Sequence, residues 1–245
     1  MASLPKFFVA NDCISDNRLV ITGQDALHIL RVLRLRTGDR IAVSDMHRNE
    51  YTATIVRCGT DEVECEVVFS GRSLTESPFF ITMYQAFPKG DKLELAVQKA
   101  VELGVSRIVP VFSERCVARP DEKAVKNRII RLQKISRAAA QQSGRGIIPE
   151  ISGPVSFDEM LDVLRQAELG FVCHEAEETL LLRELLSGRL PKSISFFIGP
   201  EGGISETETE KISSCGIPSV SLGRRILRTE TAGLYVLSAI SAIME

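Results

Sequence analysis

The most constraining stretch of this 245-residue chain lies near its end, where an apolar run breaks into a glycine-rich turn: Ser195-Phe-Phe-Ile-Gly-Pro-Glu-Gly-Gly-Ile-Ser205. Ile194 to Ile198 has the length and apolarity of a buried strand. Gly199, Gly202 and Gly203 let the backbone turn sharply and approach a ligand closely. Ser205, followed by Glu208, reads as a capping box that opens a helix. A second stretch, Ser221-Leu-Gly-Arg-Arg-Ile-Leu-Arg-Thr-Glu-Thr-Ala232, repeats the plan of a short run, a polar turn and a helix. Such turns at helix N-termini often hold phosphate, but the spacing matches neither G-x-G-x-x-G nor G-x-x-x-x-G-K-[ST]. Glu201, Glu206, Glu208 and Glu210 would also repel a polyphosphate. A ligand with a cationic centre suits this loop better.

Upstream, the same strand-then-helix alternation starts at residue 79. Phe79 to Ala86 reads as a strand, and Asp91 as the cap of a helix carrying Leu93, Ala96, Val97, Ala100 and Val101 up to Gly104. Arg107 to Phe112 is the next strand, and Val125, Ile129, Leu132, Ile135 and Ala139 mark a long helix. Strands are expected at Leu169 to Cys173, Ile194 to Ile198 and Ser219 to Leu222, and a last helix from Thr231 to Met244. Strands alternating with helices mean an α/β domain with a mostly parallel sheet.

Residues 1–72 follow another rule. Gly38 to Asp45, Tyr51 to Val56 and Glu62 to Phe69 alternate apolar and polar side chains, as short antiparallel strands with one solvated face do. A helix over Gln24 to Leu35 precedes them, carrying Leu27, Leu30, Val32 and Leu33 toward a core. Ser70 to Pro78 is polar, closes on a proline and is the linker candidate. The domains are therefore 1–72 and 78–245.

Together, IGPEGG and LGRRILRTETA resemble the motif pair of the RsmE-type ribosomal RNA methyltransferases of the SPOUT superfamily. The likeness continues at Gln98-Lys-Ala-Val-Glu-Leu-Gly104 and Ala138-Ala-Ala-Gln-Gln-Ser-Gly-Arg145, and more faintly at His28 to Arg34, so that it covers nearly the whole chain. The resemblance implies a C-terminal trefoil-knotted domain behind a PUA-like RNA-binding barrel. It implies S-adenosylmethionine as cofactor and N3 of a uridine in small-subunit (16S) ribosomal RNA as methyl acceptor. Cofactor contacts carried over on the matching motifs are Ile198, Gly199, Gly202, Gly203, Leu222, Gly223, Ile226 and Leu227. His174, at the end of the strand expected over Leu169 to Cys173, is a further candidate on position alone, where a His-Glu pair is often a surface pair. Knots are essentially absent from generic folds, so that feature rests on the resemblance alone.

Methylating N3 requires loss of the imide proton and alignment of the anion with the methyl donor. Arg145 and Arg228 are the candidate anion stabilisers. Glu201 and Glu230 are the candidate carboxylates for the proton, unranked, and either could instead hold an arginine in place. For RNA contact the candidates are Arg31, Arg34 and Arg36 in the front module, Gln142 in the polar turn, and Arg224 and Arg225. Residues 119–145 hold eight basic side chains against Asp121 and Glu122, a local excess in a chain whose net charge is −2. Much of that excess fits a solvated helix face.

The six cysteines form no C-x-x-C and no zinc spacing, so free thiols and no metal are expected. No apolar run reaches the length of a membrane span, and no secretory h-region stands at the start. Cytoplasmic residence is the expectation. The C-terminal helix carries Leu234, Leu237, Ile240 and Ile243 with Tyr235, Val236, Ala239 and Ala242 on its other faces, which suggests burial on more than one side and a homodimer. Two other readings keep the same residues: a SPOUT methyltransferase acting on another RNA, and a non-catalytic RNA-binding assembly factor.

Overall fold

The computed structural model describes residues 4–10, 13–15, 17–88, 92–116, 121–188 and 191–244. The expected cap Asp91 and the basic residue Arg119 lie outside them. The chain divides into two compact units, Met1–Glu76 with Ala140–Ile148 and Ser77–Ala139 with Pro149–Glu245.

The first unit is a curled six-stranded sheet: β1 (Lys6–Phe8), β2 (Ile14–Ser15), β3 (Arg18–Thr22), β4 (Arg40–Ser44), β5 (Asn49–Cys58) and β6 (Glu62–Arg72). The order is β1-β4-β5-β6-β3-β2, with β1 and β4 parallel and the other pairs antiparallel. Alternation sets its faces. In β6, Val63 and Cys65 enter the core while Glu62 and Glu64 point outward. Phe7, Leu19, Ile21, Ile29, Ile41, Val43 and Ile55 complete that core. The alternating stretches predicted β4, β5 and β6. They did not predict β1, β2 or β3, which are short and lie beside turn-forming residues. The expected linker also starts late, because Ser70, Gly71 and Arg72 still belong to β6.

The single helix expected over 24–35 is a correction. It is α1 (Gly23–Leu27) followed by a π-turn over His28–Val32, closed by Leu33 N–H on the His28 carbonyl at 2.9 Å. A π-turn holds more residues than the 3.6 per turn on which the periodicity argument rests. Ile29 therefore stays buried, but Val32 is 69% exposed rather than directed to the core.

Residues 140–148 join this unit through side chains. Lys6 Nζ and Thr75 Oγ1 donate to the Gly144 carbonyl at 2.7 and 3.0 Å, and Ser44 Oγ donates to that of Gly146 at 2.5 Å.

The second unit is a parallel sheet. Its strands are β7 (Phe80–Ala86), β8 (Arg107–Phe112), β9 (Glu150–Ile151), β10 (Val155–Ser156), β11 (Leu169–Cys173), β12 (Ser193–Ile198) and β13 (Ser219–Val220). Its helices are α2 (Lys92–Glu102), α3 (Glu122–Gln142), α4 (Phe157–Gln166), α5 (Leu182–Leu186), α6 (Glu206–Ser214) and α7 (Thr229–Met244). The strand order is β10-β8-β7-β12-β11-β13, with β9 beside β8 and every pair parallel. Five of the six β12 residues are buried, which is why the run reads as continuously apolar. Phe171 and Phe196 stack at 5.6 Å between β11 and β12, and Phe157 of α4 meets Phe197 edge-on at 5.6 Å.

β12 inserts between β7 and β11, and β13 then passes to the far side of β11. The loops leaving β11, β12 and β13 thus come together at one end of the sheet, where open parallel sheets hold their ligands. α7 packs against α2 and α5 with Val236, Leu237 and Ile240 buried, while Tyr235 and Ile243 stay 46% and 43% exposed.

Candidate active site

Three loops at the carboxyl ends of these adjacent strands, together with the start of α7, enclose a cavity of about 400 Å³. After β11 come His174 and Glu175. After β12 come Gly199, Pro200, Glu201 and Gly203. After β13 the wall is continuous from Ser221 to Thr229, and Ala232 closes it. The volume falls in the range usual for small-molecule and cofactor sites, roughly 300–1,000 Å³.

The glycine turn is fixed from several sides. Thr229 Oγ1 donates to the Gly199 carbonyl at 2.7 Å, Arg115 Nη1 donates to that of Gly202 at 2.8 Å, and Lys92 Nζ lies 2.9 Å from Glu201 Oε1. The capping box closes both ways: Glu208 N–H donates to Ser205 Oγ and Ser205 N–H to Glu208 Oε2, each at 3.1 Å. The Glu114 N–H adds a bond to Glu208 Oε1 at 2.8 Å, and Ser205 Oγ donates to the Glu114 carboxylate. Two glycines are required by their backbone. Gly203 has φ +71°, and a Cβ there would lie 2.3 Å from Glu175 Oε1. Gly223 has φ +107°, a conformation that L side chains rarely adopt.

The lining mixes apolar surface with charge of both signs, Arg224, Arg225 and Arg228 supplying the positive part. Ile198, Leu222 and Leu227 supply apolar surface, and Glu175 and Glu201 supply negative charge. Cys173 lines the cavity too, but burial pushes its thiol far above the ordinary value, so it stays protonated and is no nucleophile.

Of the residues singled out in the sequence, His174, Ile198, Gly199, Gly203, Leu222, Gly223, Ile226 and Leu227 all line the cavity, as do Glu201, Arg224, Arg225 and Arg228. Gly202 does not: a Cβ on it would face the Arg115 side chain at 3.4 Å. Glu230 lies outside the lining, with a buried Oε2 that has no partner among the described residues. Arg145 belongs to the first unit, where it is 3% exposed and grips Glu76 through Nε at 3.2 Å and Nη2 at 2.5 Å. Arg31, Arg34, Arg36 and Gln142 are exposed in the first unit. Sequence reasoning missed Thr229 and Ala232. The signal was there: with Gly233 and Val236 they extend the buried spacing of α7 back to its first turn.

Residues 75–241 match the family model of an RNA methyltransferase domain, and residues 21–68 that of an RNA methyltransferase PUA domain. Ribosomal RNA small subunit methyltransferase E of Bacillus subtilis is 36% identical over 227 residues, 90% of this chain and 88% of that protein. The protein of the same name from Synechocystis is 29% identical, over 98% of this chain and 78% of its own length. Among solved structures, ribosomal RNA small subunit methyltransferase E of Neisseria gonorrhoeae, bound to S-adenosylmethionine, superposes with a TM-score of 0.84 at 29% identity, covering 98% of this chain and 97% of that one. A Legionella pneumophila protein solved with the same cofactor gives 0.87 at 29% identity, with 98% of each chain covered.

Proposed function

The chain belongs to the RNA methyltransferase family whose model it matches, and from that membership we propose its reaction: transfer of the methyl group of S-adenosylmethionine to N3 of a uridine in small-subunit (16S) ribosomal RNA. That the chain is an S-adenosylmethionine-dependent ribosomal RNA methyltransferase follows from its family and its relatives. The choice of N3 is our own. The observation that carries the site assignment is the convergence of IGPEGG and LGRRILRTETA on one cavity.

In this proposal the cavity holds the cofactor, which when bound supplies an electrophilic methyl group. Ile198, Leu222 and Leu227 pack on its adenine, and the carboxylates of Glu175 and Glu201 favour its cationic centre. Arg228, exposed at the cavity wall and in no ion pair among the described residues, faces the uracil oxygens and stabilises the N3 anion. Of the two candidate carboxylates, Glu201, which lines the cavity and is oriented by Lys92, is assigned to the proton, and Glu230, outside the lining, is left a supporting role. Arg224 and Arg225 take phosphates. Arg145, committed to Glu76, shapes the turn that presents Gln142.

The front unit, proposed as a domain over 1–72 preceding a catalytic domain over 78–245, binds the RNA through Arg31, Arg34 and Arg36. A trefoil knot in the second unit is part of the proposal. So is a homodimer, supported by the open face of α7 at Tyr235 and Ile243; a monomer by light scattering at assay concentration would contradict it. Among the described residues no helix is long and apolar enough to cross a membrane, and cytoplasmic residence is proposed with the substrate.

Mapping methylated nucleosides in 16S RNA from a deletion strain tests the reaction. Loss of one 3-methyluridine, restored by this chain, is expected. Loss of a 5-methyl or 2′-O-methyl mark instead would overturn the N3 assignment.

A further inference from the structure

We propose that Gln85 is a positioning residue for methyl transfer: acting through Thr229, it fixes the Gly199 carbonyl and so sets the gap between two walls of the cavity. Gln85 sits at the C-terminal end of β7, 1% exposed, in register with Ile198 of β12. It does not line the cavity. Its Nε2 donates to Thr229 Oγ1 at 2.8 Å, and Thr229 Oγ1 donates to the Gly199 carbonyl at 2.7 Å. The pairing of β12 with β7 ends at Ile198, so the Gly199 carbonyl lies just past the ladder and takes its donor from the threonine.

The direction of this relay is fixed by proton count. A hydroxyl has one hydrogen, and the Thr229 hydrogen goes to Gly199, so Thr229 must accept from the glutamine and Gln85 must present nitrogen to it. The amide oxygen is thereby turned the other way. It is buried, without a partner among the described residues, and 3.8 Å from where a Cβ on Gly233 would lie. A buried unpaired acceptor costs stability, and an apolar residue of similar volume would avoid that cost. Apart from the Nε2 bonds to Thr229 Oγ1 and, at 3.4 Å, to the Ala86 carbonyl, stability gives no reason for a glutamine here. Holding the glycine turn to the first turn of α7 does.

The inference rests on the cavity being the S-adenosylmethionine site, and the test separates the two claims. Cofactor affinity is measured by calorimetry on the full chain, with a melting temperature for each variant. Gln85→Leu and Thr229→Val should each weaken binding about tenfold, equivalent to about 1.4 kcal/mol. Thr229→Ser, which keeps the hydroxyl, should bind like wild type. The double variant should bind no more weakly than either single one, because both break the same relay. Gln85→Leu should melt no lower than wild type. A purely structural glutamine would do the reverse, lowering the melting temperature and leaving affinity unchanged. Should Gln85→Leu fail to fold, Gln85→Met and the Thr229 pair carry the same comparison. Unchanged affinity in the folded Gln85 variant, or a hundredfold additive loss in the double one, would overturn the relay. Ala232→Leu, which fills the cavity, serves as the site control. Normal binding by it would sink the site itself, whereas lost binding there beside normal binding in Gln85→Leu would sink the relay alone.

Discussion

Asp45 illustrates how single buried polar residues shape this molecule. It is fully buried where β4 turns into β5, and it accepts from His47 N–H at 2.7 Å, Asn49 N–H at 3.2 Å and Asn49 Nδ2 at 2.7 Å. These bonds hold a turn in which Met46 and Arg48 have φ +62° and +67°, conformations that cost energy outside glycine. Burial by itself would raise the Asp45 carboxyl, but the bonds from Asn49 and His47 outweigh it and hold the group below its ordinary value. A folded-state value below the unfolded one stabilises the native state above about pH 4, and that gain is lost as pH falls through the folded value. Asp45→Asn should thus melt lower than wild type near neutrality, with the gap closing in acid; a gap constant with pH would contradict this. No sequence pattern announces Gln85. Its role lies in a hydrogen bond to Thr229, 144 residues away, and residue spacing carries no record of that, whereas Asp45 bonds within its own turn.

At the scale of elements, legibility followed local chemistry. The Ser205–Glu208 capping box was readable because both partners lie within one turn. β8 and β11 were readable because a buried parallel strand is apolar along its length. The π-turn was not, since a helix of 3.6 residues per turn was assumed through His28–Val32. Its effect is to hold Arg31, Val32, Leu33 and Arg34 exposed together, with Arg34 at φ +54°. Strain of this kind tends to gather at binding sites. Replacing Arg31, Arg34 and Arg36 together by alanine should weaken RNA binding and lower the salt dependence by about one unit of slope per arginine. Weakened binding with an unchanged salt slope would show that these side chains do not meet phosphate.

For the whole molecule, the chain divides into two compact units, and the return of 140–148 to the first has no local signal in the sequence. Gln141 to Arg145 has the composition of a turn, and what ties it down is Lys6, Ser44, Thr75 and Glu76, far away in sequence. Removing residues 1–72 would strip the Gly144 and Gly146 carbonyls of Lys6 and Ser44, so the arginine replacements are the cleaner test of RNA binding. The central claim is that the crevice after β11, β12 and β13 takes S-adenosylmethionine. Nuclear magnetic resonance of protein labelled at isoleucine methyls tests it directly, because Ile198 and Ile226 line the crevice while Ile41 and Ile55 sit in the core of the other unit. Titrated cofactor should shift the Ile198 and Ile226 signals to saturation and leave Ile41 and Ile55 in place. Saturable binding that leaves Ile198 and Ile226 unmoved would contradict the account.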